Sequence, residues 1–419
     1  MRIGLLNIGD ELLLGKTLNT NAFDAATWLG ELGHELVFTL AIEDRIDVIA
    51  AVLRDALIQE GGLPRCDMLL LTGGLGPTRD DLTREAVAGF LGVSVQYSPE
   101  AEGWLAERLN VKPEGISEGQ RQQLYVPEGT ATLRNPAGTA CGFHFEKNSV
   151  QVFAFPGVPS EFRAMFDVHC RPRLVRGDAV LLRKRIYTFG LAEGRQRELL
   201  RGFKTPEPFR FSSLPSESGV AIGLEAFVPN TEAESRKVEL ESAWEELLSR
   251  LPAESIVERN GATLSETVFQ LLRGMGATVS VAESCTAGAA GYLFTEMPGS
   301  SEVFKQGYLT YSNESKTALL HVPEDLIASQ GAVSEAVAAA MAIGCREAAG
   351  TDYAVAITGI AGPDGGSPEK PVGLVYIAVT SAKRGDVRRF QFRGERKSIR
   401  WMSAYSALNQ LRLFLINDL

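Results

Sequence analysis

The sequence predicts an α/β protein: a mainly parallel-sheet unit first, a small α+β segment in the middle, and a second α/β unit last. Apolar runs of strand length alternate with segments of helical period through both outer parts, as expected when strands are crossed over by helices. At 419 residues the chain is too long for one core, so two or three domains are expected. Its texture changes near Arg171 and again near Asn260-Gly261, which sets domains at 1–170, 171–257 and 258–419.

In order, RIGLLNIG is a strand and NAFDAATWLGELG a helix stopped by Gly33. ELVFTLAI is a strand, RIDVIAAVLRDALIQ a helix, and CDMLLLTGG a strand closed by glycines. TREAVAGFLG is a helix with a glycine stop, and VQVFAFPGVPSEFRAMF a strand, loop and helix. The middle segment reads as strand (RKRIYTFG), helix (LAEGRQRELLRGF), a Pro- and Ser-rich loop (KTPEPFRFSSLPSESG), strand (GVAIGLEAFV) and a long charged helix. No motif in it carries chemistry, so it reads as a spacer or dimerisation module. The last unit opens on TLSETVFQLLRGMG, a helix with Thr263 or Ser265 as N-cap. A strand, an alanine-rich helix, the strands DYAVAITG, GLVYIAVT and VRRFQFRG, and a closing helix follow.

A net charge of −10 and a pI near 5.2 argue against broad electrostatic binding of nucleic acid. The cysteines, Cys66, Cys141, Cys170, Cys285 and Cys345, are scattered, which suggests neither a disulfide framework nor a zinc site. The first residues carry Asp10 and Glu11 inside their apolar stretch, unlike a signal peptide. No stretch approaches the roughly 20 apolar residues of a membrane span. A cytoplasmic protein is expected.

Two dense motifs carry chemistry. TVSVAESCTAGAAG, Thr278 to Gly291, ends an apolar strand in ionisable or nucleophilic side chains where a helix begins. Ligands bind at such junctions. Ser284 needs a base to act as a nucleophile. Of the histidines (His34, His144, His169, His321) only His321 belongs to this unit, and it has no evident carboxylate partner. A lysine of lowered pKa serves instead, and GYLTYSNESK supplies Lys316 with Tyr311 and Asn313 beside it. Two alternatives stand: Cys285 as nucleophile, or Ser284 and Thr286 as mere helix caps with Lys316 solvated. The glycine-rich loop Thr358 to Gly373 can bring backbone amides against an oxyanion or phosphate. Arg393, Arg396 and Arg400, spaced three and four apart, can share one helical face and clamp a phosphate.

In the first unit, LLLTGGLGPTRDDLTREA ends a strand in Gly73, Gly74, Gly76 and Pro77, with Thr78 or Asp80 starting a helix. Amides there suit phosphate. Lys16 and Asn21 follow the first strand as further nucleotide contacts. Glu11, Asp44, Asp80 and Asp81, at strand ends, suit a divalent ion. Helix capping and a tight glycine turn are the plain alternative.

The motifs AESCTAG, PGSS, YSNESK, GAVSE, GIAGPDGG, EKPVG and FRGER…IR, in one order over roughly Thr263 to Leu415, resemble the C-terminal domain of the CinA family. The resemblance implies a nicotinamide-nucleotide amidase without cofactor. It would hydrolyse nicotinamide mononucleotide to nicotinate mononucleotide and ammonia. Ser284 would be the nucleophile, with Lys316 and Tyr311 as its partners. Thr286, Gly288, Asn313, Gly359, Ala361, Gly362 and the three arginines would hold the substrate. The usual motif is Cys-Thr-Gly-Gly, and here Ala287 replaces the first glycine. Ala287 is expected in the first helical turn, where alanine is harmless.

The N-terminal motifs, with NPAGTACGF and PGVPSEF, resemble the molybdopterin-binding-like domain at the front of CinA proteins, over about residues 1 to 168. That likeness implies ADP-ribose pyrophosphatase activity with a divalent ion (Mg, Mn or Co, with or without K). The implied partners are small nucleotides, nicotinamide mononucleotide and ADP-ribose, with no direct nucleic-acid or membrane contact, and a homodimer is expected. The rival readings are a non-catalytic cofactor-binding module and a competence-related interaction protein.

Overall fold

The computed structural model describes every residue except 175, 176, 217, 260 and 419. Asn260, where the last unit was expected to open, therefore lies outside the described residues. The chain divides into two compact units, Met1–Leu182 with Phe227–Glu234, and Arg183–Ala226 with Ser235–Leu419. Most of the middle segment thus groups with the C-terminal residues.

The first unit is built on β1 (Arg2–Ile8), β2 (Glu35–Ile42) and β3 (Met68–Thr72). A short ribbon pairs β4 (Val95–Tyr97) with β5 (Tyr125–Pro127), and β6 (Ala131–Leu133), β7 (Gly142–Lys147) and β8 (Val150–Phe155) complete the main sheet. Sheet order is β2-β1-β3-β8-β7-β6, parallel from β2 to β8 and antiparallel beyond. β1, β3 and β8 are continuous apolar runs because helices cover both faces of the sheet, and each face carries its own apolar cluster. The loops after β1, β2, β3 and β8 meet at the carboxyl ends of parallel strands.

β9 (Ala179–Thr188), β10 (Arg210–Ser216) and β11 (Gly219–Pro229) form a three-stranded sheet in the order β10-β11-β9. β10 corrects the sequence reading, which placed a loop there. Its prolines hid a hairpin partner of β11, with Pro215 on an edge strand, where a missing N–H is tolerated.

The second large sheet orders β12 (Val279–Glu283), β13 (Phe304–Leu309), β14 (Tyr353–Gly359), β15 (Leu374–Ser381) and β16 (Gly385–Gln391) as β13-β12-β14-β15-β16. The first three are parallel and the last two antiparallel. The helices at 264–275 and 396–416 cover one face and the helix at 335–349 the other. Of the two N-cap candidates read from sequence, Thr263 caps the helix at 264–275, and Glu266 returns a reciprocal bond. Among the described residues, no helix is long and apolar enough to cross a membrane.

Candidate active sites

In the C-terminal unit, β12 delivers Ser284 at its carboxyl end, 9% exposed. Lys316 comes from the helix Asn313–Leu320, whose N-cap Ser312 fixes where the helix starts after β13. The lysine residue is 1% exposed. Its Nζ lies 3.2 Å from Ser284 Oγ and donates to the Thr310 carbonyl at 2.8 Å. No carboxylate neutralises it among the described residues. Burial therefore dominates and pushes its pKa below the usual lysine value, with Cys285 and Glu314 pulling the other way. Burial also pushes the Cys285 thiol up to about 12, which disfavours its thiolate and weighs against it as nucleophile.

The turn carrying Ser284 is held by a residue that sequence reasoning had not assigned a role. Glu283 is 1% exposed, and its carboxylate accepts from the amides of Gly288, Ala290 and Gly291 at 3.0, 3.1 and 2.8 Å. The helix start is thereby filled from within. Among the described residues, the amides of Cys285 and Thr286 have no backbone partner. The signal in the sequence was an acidic residue closing an otherwise apolar strand.

Arg400 donates to the Thr286 carbonyl at 2.8 Å, and Arg396 to the Gly362 carbonyl at 2.6 Å and the Tyr311 hydroxyl at 3.2 Å. These contacts join the nucleophile turn and the glycine-rich loop to the start of the closing helix. Two expectations are corrected here. Tyr311 precedes the Ser312 cap and is 64% exposed, with its hydroxyl on Arg396 rather than on the dyad. The helix begins at Arg396, so Arg393 lies outside it, exposed, and only Arg396 and Arg400 share a face. Gly359, Ala361 and Gly362 line the end of β14 and its loop, Ala361 being buried, whereas Asn313 is exposed. A 310 Å³ cavity beside this turn is lined by Gly288, Ala289, Tyr292, Arg400 and Trp401. A mainly apolar cavity of 920 Å³ elsewhere in this unit touches none of the predicted site residues.

In the N-terminal unit a cleft of 420 Å³ gathers the predicted glycine motif and carboxylates, including Gly73, Gly74, Gly76, Pro77, Thr78, Glu11, Asp44, Asp80 and Asp81. A side chain at Gly73 would collide with the Ile8 carbonyl, and its φ of +109° is open chiefly to glycine. The loop does not wait empty for phosphate, as expected from sequence. Asp81 accepts from the amides of Gly76 and Thr78, both at 2.8 Å, and so fills that nest itself. The following helix starts only at Thr83, not at Thr78 or Asp80. Asn21 is buried and tethers Thr72 and Gly157 rather than facing the cleft, and Lys16 is exposed away from its lining. Glu11, Asp44, Asp80 and Asp81 reach one cleft, but among the described residues no three acidic, His or Cys side chains converge closely enough to form a metal cage.

Residues 261–415 match the family model described as the CinA C-terminal domain, and residues 4–176 that described as a probable molybdopterin binding domain. A CinA-like protein of Citrifermentans bemidjiense is 40% identical over 99% of this chain and 98% of its own. The chain belongs to the CinA family. A CinA-like protein of Geobacter sp. strain M21 is likewise 40% identical, over 99% of this chain and 98% of its own. The crystal structure of a competence/damage inducible protein from Agrobacterium tumefaciens is 37% identical and covers 36% of this chain and 93% of that one, at a TM-score of 0.36.

Two features of this CinA-family chain give direct predictions. Ala287 is left-handed, φ +48°, not helical as its place in the sequence suggested. The Glu283 bonds to Gly288 and beyond force the turn, and alanine there is strained by about 1 kcal/mol. Ala287→Gly is expected to stabilise the fold by about 0.5 kcal/mol or more in chemical denaturation, since glycine's extra freedom when unfolded offsets part of the relief.

Burial, aided by Asp81, Asp10 and Asp80, raises Asp44 from 3.8 to about 7 against one amide bond from Leu82. The unfolded carboxyl thus ionises first. Stability falls as pH rises from near 4 to near 7 and stays lowered above that. In chelator, Asp44→Asn is expected to stabilise the fold near pH 8, by about 1–2 kcal/mol after allowing for solvent screening, and not near pH 4. Denaturant titrations at both pH values check it.

Proposed function

We propose that the C-terminal site is a serine amidase acting on nicotinamide mononucleotide, and that the N-terminal cleft hydrolyses the pyrophosphate of ADP-ribose. One observation carries the first reading: a buried lysine, unpaired with any carboxylate among the described residues, set 3.2 Å from a serine hydroxyl at the end of a parallel strand. A lysine kept for structure alone would more commonly have been paired.

Lys316 in its neutral form takes the Ser284 proton as Oγ bonds to the carboxamide carbon. The amides of Cys285 and Thr286 then face the developing oxyanion. Collapse breaks the C–N bond, and Lys316 returns its proton to the departing nitrogen, releasing ammonia. Water attacks the acyl-enzyme and gives its proton to Lys316, which hands it to Ser284 Oγ as nicotinate mononucleotide leaves. Arg396 and Arg400, with exposed Tyr311 between substrate and solvent, would hold the phosphate.

In the N-terminal cleft the donors are all oxygens, which suits a hard divalent ion. Burial, with smaller contributions from the nearby Asp81, Asp10 and Asp80, disfavours the charged form of Asp44, and a bound cation would favour it. Among the described residues no three of these carboxylates converge into a cage, so Asp44 with one neighbouring carboxylate, water completing the shell, would hold the ion, and Asp81 would stay with its loop amides. Bound there, the ion would neutralise pyrophosphate charge.

Ammonia release from nicotinamide mononucleotide tests the first reading, and metal-dependent release of AMP from ADP-ribose tests the second. Folded protein that releases neither would remove both.

A further inference from the structure

The acidic groups and loops of the N-terminal cleft leave one of its lining residues unexplained. Gln123 sits on the turn Gln122–Leu124 and lines the cleft with Thr139, Ala140 and Gly157. It is 3% exposed, yet its Oε1 is buried with no partner. Among the described residues no hydrogen bond engages its Nε2 either. Its backbone is anchored, because Cys141 Sγ donates to its carbonyl at 3.1 Å. Buried side-chain amides are nearly always satisfied, so one left unpaired in a residue of a cleft wall needs an explanation.

A carboxamide offers an acceptor and a donor side by side. Its complement is an N–H next to a ring nitrogen or carbonyl, the edge by which side-chain amides recognise adenine. Among the described residues no basic or aromatic side chain lines this cleft, so neither charge attraction nor ring stacking would select a flat heterocycle. The volume of 420 Å³ admits one. We propose that Gln123 reads the heterocycle of the ligand, and that the cleft selects a phosphorylated molecule whose ring carries a donor beside an acceptor. Adenine and pterin rings both have that edge. This rests on reading the cleft as a phosphate-ester site.

Calorimetric titration of the full chain, with one divalent ion held constant, separates the possibilities. The probes are ADP-ribose, 6-hydroxymethylpterin and inorganic pyrophosphate, and the variants are Gln123→Leu and the shape-conserving Gln123→Glu. Gln123→Leu is expected to weaken whichever heterocycle the wild type binds by about 10- to 100-fold and to leave pyrophosphate within about twofold. Gln123→Glu keeps the acceptor and loses the donor, and is expected to fall between. If the wild type binds the pterin and not ADP-ribose, and Gln123→Leu weakens that binding, the ADP-ribose reading fails while this inference stands. Unchanged heterocycle binding in both variants would overturn it. So would equal weakening of pyrophosphate, or a wild type that binds neither heterocycle.

Discussion

Ser284→Ala is expected to lower kcat for ammonia release from nicotinamide mononucleotide by about three orders of magnitude or more, with KM within a few-fold. Lys316→Met is expected to match it, because nucleophile and base act as one unit and losing either stops the same step. Steady-state ammonia assays on folded variants check this. Near-wild-type turnover in Lys316→Met would remove lysine as the base. The wild-type rate should rise with pH as Lys316 loses its proton, at a pH below the ordinary lysine value of 10.5, because burial holds its pKa down. Glu314, at the start of the same helix, is one of the groups that pull the other way. Glu314→Gln should therefore move that limb modestly to lower pH.

Glu283→Gln is expected to cost a smaller but still large share of the activity without touching a reacting atom. The carboxylate satisfies three amides from inside the turn. A carboxamide of the same shape can accept on one side only and turns an N–H toward the remaining amide. The buried mismatch is expected to destabilise the fold by roughly 2–3 kcal/mol. It should also displace the Cys285 and Thr286 amides, lowering kcat by about 100-fold with little change in KM. A denaturant titration and a kcat–KM pair on the same preparation check both halves. A loss confined to stability would mean that Glu283 only braces the turn.

The alternation of strands and helices was readable because parallel strands buried on both faces leave unbroken apolar runs, as in MLLLT of β3 and VSVAE of β12. The pairing of Ser284 with Lys316 was readable for a related reason. Both follow neighbouring parallel strands, so their loops had to meet at one sheet end. What failed depended on contacts that no local spacing encodes. Ala287 was read as helical because propensity looks along the chain, whereas its left-handed turn is imposed by Glu283 folding back over it. Tyr311 was placed on the dyad by proximity in sequence, yet the Ser312 cap sends Lys316 inward and leaves Tyr311 outside with Arg396. Asp81 was counted among the metal ligands although its oxygens belong to the loop amides. Gln123 gave no signal at all, because an unpaired amide is visible only once its surroundings are known.

The account stands or falls on a covalent acyl-enzyme at Ser284, and hydroxylamine partitioning tests that most directly. With nicotinamide mononucleotide and hydroxylamine present, the wild type should release ammonia and divide its acyl product between nicotinate mononucleotide and the corresponding hydroxamate. Ser284→Ala should yield none of the three. Ammonia release that persists in Ser284→Ala, or that gives the free acid alone at every hydroxylamine concentration, would contradict the serine-lysine mechanism.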